Sequence, residues 1–234
     1  MSVNKERFQD LEWSSFTKTI TIAGLGGIGS WLALFLSRIG HNLLLVDYDT
    51  IEKVNLAGQF YPEDHVGKTK VSSLEESIRS FSPGCRFLTD NKKIEEKHVK
   101  YSDIICMCFD NMDARKQTLQ LFKNRIAKIN ENTILVDGRM QAEYFEVFLV
   151  TKDNVEQYEK EYMFDDDEVA DLPCSAKATT HCGAMCAGFM TSLINNHITN
   201  IHVGDTREVP LKASMHLPLL MQDLEYSHSI VCQQ

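Results

Sequence analysis

The chain has 234 residues, 43% of them hydrophobic and 24% charged. That is the balance of a folded globular protein and excludes a disordered one. With 33 acidic against 24 basic residues the formal charge is −9, the wrong sign for a protein that coats duplex nucleic acid.

The elements follow in chain order. Thr19–Ala23 (TITIA) is short, β-branched and apolar, and runs into Gly24-Leu25-Gly26-Gly27-Ile28-Gly29. Residues 30–39 have helical length, and Gly40 stops them. Asn42–Val46 is a second buried strand that ends at Asp47. Strand, glycine turn, helix and strand open a doubly wound α/β sheet. The pattern predicts an amphipathic helix over 66–81, a weak strand over 86–89 and a fully buried strand over 103–109 that ends at Asp110. A helix over 112–126 and a strand over 133–137 follow. Residues 144–151 read as an exposed or antiparallel strand. Residues 154–171 are acidic, with no clear period, and read as a mobile loop. A helix rich in small residues is predicted over 182–198, then strand-like runs over 208–212 and 217–222. The expected fold is Rossmann-like: doubly wound, mostly parallel, with antiparallel C-terminal strands. It is expected to be a single domain over 1–234. The nucleotide-binding part lies at about 15–150, a crossover loop at about 152–176, and the C-terminal helix and strands at about 177–225.

The glycine pattern carries the first chemistry. Gly24 permits the tight turn, Gly26 lets a ligand approach the backbone, and Gly29 lets helix and strand pack closely. The helix N-terminus then offers free amides to a phosphate. Asp47 follows about twenty residues on, where a carboxylate binds ribose hydroxyls. These features fit a nucleotide site, with a dehydrogenase as the default. Gly67-Lys68-Thr69 is not a phosphate loop of the Walker type, because Pro62 stands where its first glycine belongs.

Three further motifs change the default: Asp47-Tyr48-Asp49 with Asn55-Leu56-Ala57-Gly58-Gln59, then Lys68-Thr69-Lys70, then Asp110-Asn111-Met112-Asp113-Ala114-Arg115. With them the chain resembles the ThiF/MoeB/HesA family, adenylating relatives of ubiquitin-activating enzymes. The resemblance is clear over about 15–150 and looser beyond. It implies binding of ATP and Mg²⁺ and adenylation of the C-terminal carboxylate of a small ubiquitin-like or sulfur-carrier protein. Carried over by motif, Gly24, Gly26, Gly27 and Gly29 form the phosphate loop and Asp47 holds the ribose. Asn55, Gln59 and Lys70 contact the phosphates. Asp110 binds Mg²⁺, and Arg115 orients the acidic strand end. Asp49 and Asn111 belong to the same motifs and join the cofactor-binding set. The resemblance also implies a homodimer, in which Arg7 acts across the two-fold axis. Lys70, Asp110 and Arg7 are therefore candidate catalytic groups.

One departure stands out. The family pattern places an arginine where this chain has Gly58. Arg7, Lys53 or Lys68 could supply the charge, a second subunit could do so, or the chain could be a non-catalytic partner. Cys174, between the acidic loop and the small-residue helix, stands where several family members carry a cysteine that attacks the adenylate. It is a candidate nucleophile, with an incidental cysteine as the alternative. The family's paired Cys-x-x-Cys zinc motif is absent from the sequence, and Cys182 and Cys186 read as small apolar helix residues. Seven cysteines, an odd number, point to a reducing, cytoplasmic setting. No run reaches the ~18 apolar residues of a membrane span. A peptide or a modified tRNA base remains an alternative acceptor.

Overall fold

The computed structural model describes residues 8–164, 179–204 and 206–228. Among these residues eight strands form one sheet in the order β3-β2-β1-β4-β5-β6-β7-β8. They are β1 Thr19–Ala23, β2 Asn42–Val46, β3 Phe87–Asp90, β4 Ile104–Met107, β5 Ile134–Gln141, β6 Tyr144–Val150, β7 Lys212–His216 and β8 Met221–Glu225. The first five pair in parallel, and β6, β7 and β8 continue the sheet antiparallel. This is the expected Rossmann-like architecture.

Helices cover both faces, as a parallel sheet requires. On one face pack α1 Gly29–Ile39, α2 Lys70–Phe81 and α6 Thr180–Val203. They close a core around Ile20, Ile22, Leu32, Leu36, Leu74 and Ile194. On the other lie α3 Glu96–Val99, α4 Met112–Lys128 and α5 Val155–Tyr162, over Ile105, Met107, Leu119, Phe122, Phe148 and Tyr158. No helix among the described residues is long and apolar enough to cross a membrane.

Several expectations need correction. The helix predicted from residue 66 begins at Lys70. The backbone before it bonds elsewhere: Gly67 N donates to the Ile51 carbonyl, and Ile51 N to the Lys68 carbonyl. Thr69 is extended and caps the helix by accepting from Ser72 N. Of the two readings of residues 144–151, the antiparallel one holds and the exposed one does not: β6 pairs with β5 and β7, and Phe145 and Val147 to Val150 are buried. The first part of the predicted acidic loop is helix α5. Its apolar residues Val155 and Tyr158 sit one turn apart and are buried, a spacing hidden among charges. The two C-terminal strand runs are shifted. Residues 208–211 precede β7, which begins at Lys212 and whose register is set by the ladder from Phe148↔Lys212 to Tyr144↔His216. Leu217–Leu219 is a 3-10 turn with Pro218 inside it, so β8 starts later.

Candidate functional site

Strand order reverses at β1, with β2 on one side and β4 on the other. The carboxyl ends there form the crevice where doubly wound sheets bind ligands. The glycine loop enters it from β1. Gly24 has φ +86°, and a Cβ on it would lie 2.7 Å from the Cys108 carbonyl oxygen, so only glycine fits. A Cβ on Gly29 would lie 1.9 Å from the Gly24 carbonyl oxygen. Gly26 differs: a Cβ there would meet nothing nearer than Gln59 Nε2 at 3.9 Å. The loop is tight where it packs and open where a ligand would approach.

Asp47, at the end of β2, fixes this loop. Its Oδ2 accepts from Leu25 N at 2.6 Å and its Oδ1 from Asp49 N at 2.8 Å. Each oxygen keeps a lone pair. Tyr61 donates to the Leu25 carbonyl at 2.7 Å. Burial raises the Tyr61 pKa, and the charges of Asp47 and Asp49 raise it further, so it stays a donor. Lys70 opens α2 with its side chain only 9% exposed. Its Nζ lies 2.8 Å from Asp49 Oδ2 and 4.0 Å from Asp47 Oδ2. A cation held this deep needs such partners. The Lys68 side chain is instead 40% exposed, and both Glu76 carboxylate oxygens accept from its Nζ.

The loop after β2 forms the opposite wall. Asn55 Oδ1 accepts from Glu52 N at 2.8 Å, capping the 3-10 turn Lys53–Ala57. Gln59 Oε1 is buried with no hydrogen-bond partner among the described residues. The Gly58 carbonyl accepts from the Trp31 indole at 3.3 Å. Helix α6 closes in from the side. Thr180 donates to the Ala57 carbonyl, and a Cβ on Gly183 would lie 2.3 Å from the Gly27 carbonyl oxygen.

Beyond β4, Asp110 is exposed beside the crevice and accepts from Asn111 Nδ2 at 3.2 Å. Asn111 caps α4 by accepting from Ala114 N at 2.9 Å. Arg115 is buried, and its guanidinium donates to Asp137 and to the Phe109 and Gly138 carbonyls. It ties the loop after β4 to β5. Arg7 and Cys174 lie outside the described residues. Cys106, Cys108, Cys182 and Cys186 are buried, and burial raises their thiol pKa values. No group of three or more metal-ligating side chains exists among the described residues.

Sequence reasoning missed Asp137, Arg139, Tyr158 and Tyr61. Arg139 donates to Asp137 Oδ2 at 2.6 Å, to the Tyr158 hydroxyl at 3.0 Å and to the Tyr162 carbonyl at 2.8 Å. Burial works against its charge, but Asp137 outweighs that and raises its pKa. The run Asp137-Gly138-Arg139 at a strand's end was a signal for the first two. Nothing local marks Tyr158.

The site gathers groups that suit a phosphorylated nucleotide: an open glycine loop, a carboxylate with spare lone pairs and a buried ammonium. Comparison with known proteins agrees with the fold. Ubiquitin-like modifier-activating enzyme 5 of Branchiostoma floridae is 33% identical over 129 residues, 48% of this chain and 30% of that protein. The chain thus spans about a third of that relative's length. Among solved structures, PaaA superposes with a TM-score of 0.69 at 20% identity, covering 92% of this chain and 65% of that one. Escherichia coli MccB with ATP superposes with a TM-score of 0.68 at 16% identity, covering 95% and 68%. The ThiF family model matches residues 7–223, and the chain belongs to the ThiF family.

Proposed function

We infer that the chain is an ATP- and Mg²⁺-dependent adenylyltransferase. Its substrate is the C-terminal carboxylate of a small ubiquitin-like or sulfur-carrier protein. The observation that carries this reading is Lys70, buried against Asp47 and Asp49 beside the open glycine loop, with Asp110 across the crevice. A dinucleotide site has no use for that lysine and aspartate. Bound ATP and Mg²⁺ would supply an electrophilic α-phosphorus and charge shielding for departing pyrophosphate.

The chain's own groups do the rest. The amides after Gly24 receive phosphate oxygens at the α1 N-terminus. Asp47 orients the ribose. Lys70 exchanges Asp49 for phosphate oxygens, and Asn55 and Gln59 hold the same region. Asp110 would hold the cation as a single carboxylate ligand, the number of protein carboxylates Mg²⁺ commonly uses. Positioning and fixed charge are then the catalytic devices. In this reading 1–234 is one cytoplasmic adenylation domain that works as a homodimer. Arg7 reaches across the two-fold axis, and Cys174 takes the acyl group from the adenylate.

Acceptor-dependent ATP–pyrophosphate exchange tests the reading. Asp110→Ala and Lys70→Ala should abolish exchange. Cys174→Ala should leave it intact while removing a thiol-sensitive adduct with the acceptor. Tight binding of NAD in place of ATP·Mg²⁺ would overturn it. Gly58 favours a second reading, a nucleotide-binding partner subunit without catalysis. That one predicts ATP binding with no exchange for any acceptor.

A further inference from the structure

Asp90 ends β3, the strand beside β2. The two strands run in register up to Val46↔Asp90, and the Asp47 amide donates to the Asp90 carbonyl at 3.4 Å. The Asp90 side chain is 27% exposed. One oxygen is spent: Oδ2 accepts from Lys97 Nζ at 2.7 Å and from His98 Nε2 at 3.0 Å. The Glu95 amide donates to His98 Nδ1 at 2.9 Å, so the imidazole proton sits on Nε2. Oδ1 has no hydrogen-bond partner among the described residues. The bonds from His98 and Lys97 hold the Asp90 pKa down to about 2. At any working pH the group is a pure acceptor with one oxygen to spare.

Strand order gives that oxygen a place. A nucleoside triphosphate runs from phosphates through ribose to base. The phosphate-type loop follows β1, the ribose-type carboxylate follows β2, and the order is β3-β2-β1. Neighbouring strands are ~4.8 Å apart, so a nucleotide lying over β1 and β2 carries its base to the end of β3. Lys93, just beyond Asp90, packs over the Tyr48 ring at 5.4 Å and walls the same edge. Adenine presents an amino donor at position 6. Guanine and hypoxanthine present an oxygen there, which a carboxylate repels.

We propose that Asp90 is the specificity-determining residue that selects adenine over guanine and hypoxanthine in this nucleotide site. The proposal rests on the adenylation reading above. It is tested by calorimetric titration with ATP, ITP and purine riboside triphosphate, which lacks the amino group. Wild type, Asp90→Asn and Asp90→Ala are compared, each checked by thermal melting. Wild type should bind ATP about tenfold or more tighter than purine riboside triphosphate, the worth of a charge-assisted hydrogen bond. In Asp90→Ala that difference should vanish. In Asp90→Asn, Lys97 and His98 still demand an acceptor. The amide oxygen turns to them, its NH₂ faces the base, and ITP should bind better than ATP. An ATP preference unchanged in both variants would overturn the proposal and leave the nucleotide reading standing. So would equal wild-type affinity for ATP and purine riboside triphosphate, a result that needs no variant to fold. If wild type binds none of the three, the nucleotide reading itself fails.

Discussion

Tyr158 donates its hydroxyl proton to Asp137 Oδ2 at 2.7 Å, tying α5 to the middle of β5, where its parallel pairing with β4 ends. Asp137 is 0% exposed and also accepts from Arg139 and Arg115. One buried carboxylate thus holds two guanidiniums. The three donors differ in what their loss leaves behind. Tyr158→Phe removes a neutral donor and keeps both cations paired, so it should cost about 1–2 kcal/mol. Asp137→Ala strands two charges and should cost about 3–5 kcal/mol. Urea unfolding at constant slope measures both. Equal costs would mean that the carboxylate is not the hub of this cluster.

The glycine loop separates stability from binding. Gly29→Ala drives a methyl into the Gly24 carbonyl and should cost about 2 kcal/mol or more. Gly26→Ala meets only Gln59 Nε2 at 3.9 Å, an ordinary contact, and should stay within about 0.5 kcal/mol of wild type. Its methyl would nonetheless occupy the approach to the loop backbone, so ATP affinity should fall by about tenfold or more. Melting curves and nucleotide titrations on the two variants check this. Normal ATP affinity in Gly26→Ala would remove the loop from the phosphate site.

The first half of the fold was legible because its signals are local. β1, the glycine turn, α1 and β2 succeed one another within Thr19 to Asp47, and each boundary residue has its own chemistry. The Asp137 cluster was not legible, because Arg115, Asp137, Arg139 and Tyr158 meet only through β5, α4 and α5 packing together. β8 was misplaced because Met221 to Leu224 are exposed, so no buried face imposes a period of two. Asp90 passed as the residue after a weak strand. Its interest comes from β3 lying beside β2, which only the sheet order shows.

Assembly bears directly on the missing loop arginine. A homodimer with Arg7 acting in trans predicts a dimeric mass by light scattering at micromolar concentration with ATP present. It also predicts complementation. Arg7→Ala and Lys70→Ala should each be inactive alone. Mixed and allowed to exchange subunits, they should recover pyrophosphate exchange, because one site in each mixed dimer is intact. A monomeric mass would remove the trans role. A dimer without complementation would place the compensating charge within the same subunit.

Stability should fall on mild acidification, and His41 is one cause. Its Nδ1 accepts from Lys18 N at 3.2 Å, which only an imidazole unprotonated at that nitrogen can do. Nε2 is buried with no partner among the described residues. Burial, aided by the charge of Lys18, pushes the His41 pKa down to about 4. His197 is lowered to about 4 by the same two causes. An unfolded chain protonates histidine near the ordinary value of about 6.5. As pH drops through that value the unfolded state takes up protons first, and unfolding is favoured. The contribution is complete above pH ~6.5, declines toward pH ~4 and is gone below it. From pH ~7 to pH ~5, His41 alone should cost about 2 kcal/mol. Urea unfolding at the two pH values should show at least that loss in wild type. His41→Gln cannot titrate and should reduce the loss by about that amount, whatever its stability at pH ~7. The same pH dependence in His41→Gln as in wild type would clear His41 of this role.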